Sequence, residues 1–140
     1  MIEAMETEID IREMSPLALA FVGDGVYEVL VRGMLVARSR LAPARLHRAA
    51  VQYVSAKGQF AALQAILPLL SEEEEAVVRR GKNASKASVA KHASPEEYRA
   101  STALESLFGW LYLQGRNQRI EELFAAVCAA REDGGEEVAV

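Results

Sequence analysis

Three acidic side chains stand in stretches of this 140-residue chain that otherwise read as apolar helix. Asp24 lies inside ALAFVGDGVYEVLV, Glu28 follows one helical turn later on the same face, and Glu105 lies inside STALESLFGWLYL. A carboxylate in apolar surroundings is expensive unless it is paired or binds a metal. Two outcomes suit these residues: acids that bind a metal, or acids neutralised by arginine, with Arg99 six residues before Glu105 as one candidate. Glycines flank Asp24 on both sides, and each costs a helix about 1 kcal/mol relative to alanine. Close approach of another backbone is the usual compensation, so Gly23-Asp24-Gly25 predicts tight helix–helix contact beside an acidic site.

Other chemistries lack their residues. The only histidines are His47 and His92, and no Glu-x-x-His occurs, which removes a di-iron carboxylate bundle. No Cys-x-x-Cys, His-Glu-x-x-His or Gly-x-x-x-x-Gly-Lys pattern appears, so zinc sites and phosphate loops are not expected. Cys128 sits in AAVCAA and reads as a small buried hydrophobe rather than a nucleophile. Trp110 and Tyr112 read as core, and His47 as a surface histidine on a basic helix.

The elements that position the acids are helical. The sequence shows no sustained period-two alternation and holds only four prolines, so the expectation is one all-α domain over residues 15–130. Residues 1–14 are a separate N-terminal segment and 131–140 a disordered tail in this reading. Ser15-Pro16 opens the first helix, which continues to about Ala37. Further helices are expected from Pro43, over Ala56–Ile66, from the capping box Ser71/Glu74, from the capping box Ser94/Glu97, and over Gln118–Ala130. Gly81, after Arg79 and Arg80, suits a helix C-terminus, and residues 82–93 (KNASKASVAKHA) then read as an exposed loop. Gly115 ends the helix that carries Glu105.

Charge is unevenly spread. The net value is −4, yet residues 32–99 hold twelve bases against six acids. That distribution suggests one positive face. A single cysteine and an acidic N-terminus, the reverse of a secretory signal, lead to the expectation of a cytoplasmic protein without a membrane span.

Four stretches, LALAFVGDGVYEVLVR (17–32), Ser55-Ala56-Lys57, EEEEAVVRRGKNA (72–84) and YRASTALESLFGWLYL (98–113), follow in the order and spacing of the ribonuclease III catalytic domain. The sequence most resembles the short Mini-III class, which lacks the appended double-stranded-RNA-binding domain. The resemblance implies a homodimer of six to seven helices whose signature helices meet across the two-fold axis. It also implies cleavage of double-stranded RNA with Mg²⁺ (Mn²⁺ substituting) to 5′-phosphate and 3′-hydroxyl ends. The class is associated with maturation of precursor 23S ribosomal RNA, and a ribosomal protein is a candidate assisting partner.

Carried over residue by residue, the resemblance places the catalytic, metal-binding acids at Asp24 and Glu105. Two further carboxylates of the longer enzymes fall on Ala20 and Thr102, so two acids remain for each site. Glu28 either assists from behind the ligands or pairs with Arg32, four residues on. The candidate RNA contacts are Arg79, Arg80, Lys82, Lys86, Lys91 and His92. The competing reading is a non-catalytic helical module for RNA binding or dimerisation.

Overall fold

The structure is a computed structural model that describes residues 8–85 and 94–133. Six α-helices are present: α1 (Pro16–Arg38), α2 (Pro43–Val54), α3 (Ala56–Ile66), α4 (Glu72–Ala84), α5 (Pro95–Leu113) and α6 (Asn117–Asp133). Short 3-10 turns precede α1 (Ile11–Glu13) and follow α3 (Leu67–Leu69), and no strand occurs among the described residues. Helix starts follow the side chains that satisfy the first free N–H groups. Ser15, Ser55, Ser71 and Ser94 each accept from a backbone N–H, and Ser71/Glu74 and Ser94/Glu97 close reciprocal capping boxes.

At the end of α5, Gly115 takes φ 70°. Arg116 N–H then reaches Leu111 O at 3.0 Å and Gly115 N–H reaches Tyr112 O at 2.9 Å, the paired bonds of a Schellman turn. α6 begins one residue before the expected Gln118 and runs three residues beyond the expected Ala130.

α5 is the axle of the fold. Its Ala100, Ala103, Leu104, Leu107, Phe108, Trp110 and Leu111 are all buried, as befits a helix apolar on most sides. α1 crosses α5 at two glycines. A Cβ on Gly23 would fall inside the Glu105 carbonyl and lie 2.9 Å from Gly109 N, while a Cβ on Gly109 would fall inside the Leu19 carbonyl and lie 3.0 Å from Gly23 N. The two backbones therefore touch with no side chain between them. Tyr27 seals the next turn, its ring 5.6 Å from Phe108 and 6.0 Å from Phe124.

Two glycine expectations are corrected. Gly25 meets nothing within 4 Å, so only Gly23 of the flanking pair makes the close approach. Gly81 does not end its helix: α4 continues to Ala84, and a Cβ at Gly81 would lie 2.8 Å from Ala103 Cα on α5. Its small size serves the α4–α5 contact, and Lys82 accordingly stands on a helix rather than in a loop.

The N-terminus of α4 is pinned to α6 by an ion pair whose acid, Glu74, is buried and whose base, Arg119, is half-buried. Arg119 donates to Glu74 at 2.9 Å and 2.8 Å and to Leu69 O at 2.7 Å, which holds the Glu74 carboxyl below its ordinary range. Cys128 is buried, as expected. No helix among the described residues is long and apolar enough to cross a membrane.

The two glycines beside Asp24 should respond unequally to alanine. Gly23→Ala is expected to cost about 2 kcal/mol or more, as forced overpacking does. Gly25→Ala, which meets no other atom of its own chain, should cost far less. Chemical denaturation of both variants checks this, and a Gly23→Ala protein as stable as the wild type would contradict the backbone contact.

Candidate active site

Because Gly23 abuts the backbone carbonyl of Glu105, the next residue of α1 is carried to the side chain of Glu105. Asp24 is exposed and Glu105 is half-buried behind it, with the two carboxyls within hydrogen-bonding reach of one another. Burial, and then the nearby Asp24 carboxylate, push the Glu105 carboxyl up to about 8. Arg12–Asp10, Arg32–Glu28, Arg38–Glu132 and Arg119–Glu74 form ion pairs, and neither Asp24 nor Glu105 takes part in them. The arginine-neutralised alternative is thereby removed. Glu28 does take its alternative, pairing with Arg32 at 3.2 Å.

Sequence reasoning passed over Gln59. This α3 side chain is only 4% exposed, and its Nε2 donates to Val54 O at 2.9 Å and to Glu105 Oε2 at 3.3 Å. The signal was available: Gln59 stands at helical spacing from the buried Ala62, Leu63 and Ile66, a polar residue on an apolar face like the two acids. Gly109, inside the apolar SLFGWLYL, was overlooked in the same way.

The donor set suits a hard cation. Only oxygen ligands converge, and two adjacent carboxyls that resist joint ionisation are relieved by positive charge between them. No group of three or more His, Cys, Asp or Glu side chains gathers among the described residues, so any cation held here would have two carboxyls and an otherwise open shell. Thr102 adds none: it is buried, and its hydroxyl donates to Tyr98 O at 3.3 Å on its own helix. Ala20 is buried and has no donor. A shell of one or two carboxylates completed by water and phosphate oxygens is the usual arrangement for Mg²⁺.

The basic candidates separate. Arg79 and Arg80 are exposed on α4, and Arg79 lines a surface groove with Lys82, Leu67, Glu75, Val78 and Asn83. Lys86, Lys91 and His92 lie outside the described residues. His47 is exposed, as expected.

The raised Glu105 carboxyl sets a pH dependence for the metal-free fold. Below about 4.5 both folded and unfolded chains keep this proton; between 4.5 and about 8 only the folded chain does. Stability therefore falls as pH rises through that window and levels off above it. Glu105→Gln removes the contribution, so in EDTA its Tm should exceed the wild-type value by roughly 5 °C near pH 8.5 and by little near pH 5. Calorimetry at both pH values checks this, and an equal difference at both would contradict it.

Comparison with known proteins agrees with the geometry. The ribonuclease III domain model matches residues 17–116, a span that contains both acids and the Gly23–Gly109 crossing. The Mini-ribonuclease 3 of Brevibacillus brevis is 49% identical over 109 residues, covering 78% of this chain and 81% of that protein. That of Enterococcus faecalis is 45% identical over 116 residues, covering 81% and 88%. The crystal structure of a Fusobacterium nucleatum protein superposes with a TM-score of 0.77 at 29% identity, over 87% of this chain and 98% of the other. With both acids at one crossing and most of its length matched by these relatives, the chain belongs to the ribonuclease III domain family, in its Mini-III class.

Proposed function

We propose that this protein is a metal-dependent endoribonuclease that cuts double-stranded RNA to 5′-phosphate and 3′-hydroxyl ends, with precursor 23S ribosomal RNA as its cellular substrate. The observation that carries the reading is the meeting of Asp24 and Glu105 at one helix crossing without an arginine. The names of the Mini-ribonuclease 3 relatives support it. Asp24 and Glu105 would hold the cation, Mg²⁺ or Mn²⁺ in its place. When bound, such an ion relieves charge at phosphorus, acidifies a water and stabilises the leaving oxygen. The exposed Asp24 faces the solvent side from which a substrate phosphate arrives, and the half-buried Glu105 supplies the inner oxygen ligand.

The A-form major groove is too narrow for side chains to read, so a duplex is held through its phosphates, 2′-hydroxyls and shape. Arg79, Arg80 and Lys82 on α4 are the described residues assigned to phosphate contact. The working form is a homodimer. α1 turns Leu17, Phe21, Val29 and Val36 outward, with Phe21 85% exposed, and a second copy of α1 would cover this stripe. A charge placed there, as in Phe21→Glu, should convert a sedimenting dimer into a monomer; a wild-type monomer at micromolar concentration would end the dimer reading.

Incubation with a long RNA duplex tests the activity. The wild-type protein should cut with Mg²⁺ and stop with EDTA. Asp24→Asn and Glu105→Gln should lose at least about a thousandfold in rate while binding RNA as before. Arg79→Ala with Lys82→Ala should weaken binding and flatten its salt dependence by about two phosphates' worth. Metal-independent cleavage, or an active Asp24→Asn protein, would overturn the assignment, and RNA binding without cleavage would favour the non-catalytic module.

A further inference from the structure

Gln59 is an odd choice for the place it holds. Its side chain is 4% exposed, among the buried face residues of α3, and its Oε1 is enclosed without any hydrogen-bond partner. A buried acceptor left unmatched destabilises a fold, and methionine or leucine would fill the same volume without that cost. The orientation of the amide is fixed by what it touches. Val54 O and Glu105 Oε2, at 2.9 Å and 3.3 Å, are both acceptors, so the atom between them is the nitrogen and each of its hydrogens is committed. One hydrogen anchors the amide to the last residue of α2, and the other reaches across to α5.

We infer that Gln59 is a positioning residue for the cation site: its amide N–H pins Glu105 Oε2, so that the remaining oxygen of Glu105 is presented toward Asp24. The inference rests on the reading that Asp24 and Glu105 hold the divalent ion. A carboxylate at the end of a flexible glutamate stem loses orientation when nothing holds its far oxygen, and partners of metal-binding carboxylates matter for that reason. The strap also explains why a helix that contributes no ligand is part of the site. α3 packs on α5, and its contribution is a neutral donor, which fixes the acid without competing with a cation for its charge.

Binding of Mn²⁺ to the purified full chain, followed by calorimetric titration alongside thermal melts, tests this. Gln59→Met keeps the side-chain length and removes the donor. It should bind Mn²⁺ about 10–100-fold more weakly, with a melting temperature within a few degrees of the wild type, since loss of the bond to Val54 O is offset by removal of the unmatched acceptor. Gln59→Leu should behave alike, whereas in a Glu105→Gln background Gln59→Met should change metal binding no further. A Mn²⁺ affinity within twofold of wild type overturns the inference, as does loss of folding in both Gln59 variants, which would make the residue purely structural. Failure of the wild-type chain to bind Mn²⁺ would instead remove the two-carboxylate reading and this inference with it.

Discussion

Two helix backbones touch at Gly23 and Gly109, and the rest of the molecule is arranged around that contact. Without side chains between them, α1 and α5 approach closely, and the residue after Gly23 comes up against Glu105. The buried apolar faces of α1 and α5, with Tyr27 lodged against Phe108 and Phe124, supply the hydrophobic energy that holds the crossing shut. α4 is fastened by Gly81 against Ala103 and by the Glu74–Arg119 pair, so the basic side of that helix has a fixed place relative to the acids.

The site is built under electrostatic tension. Glu105 is drawn into the protein beside a second carboxyl, and its raised pKa is the measure of that conflict. Proteins rarely keep such an arrangement for stability, since removing the charge relieves it. In the proposed reading a cation would offset the repulsion and find two ligands already in place, with positions left for substrate.

Much of this was legible in the sequence, and the misses share one cause. Asp24 and Glu105 stood out as charges in apolar helices, and Ser71/Glu74 and Ser94/Glu97 marked two helix starts because capping is a local interaction. Residues whose meaning comes from another element were harder. Gly81, followed by lysine and asparagine, has the local look of a helix end, but its size answers to Ala103 far away in the chain. Gly25 looked like a twin of Gly23, yet the two lie on opposite sides of α1 and only one faces α5. Glu74 was fully accounted for by its cap, which hid its second partner, Arg119. Gln59 stood out locally only as a polar residue on the apolar face of α3, and its contact with Glu105 becomes visible only once α3 lies beside α5.

Asp24 and Glu105 are proposed to ligate one divalent ion jointly at the α1–α5 crossing. The most direct measurement is anomalous diffraction from crystals of the protein soaked in Mn²⁺. A peak is expected about 2.2 Å from a carboxylate oxygen of each residue. A Mn²⁺ peak elsewhere, or one ligated by only one of the two acids, would contradict it.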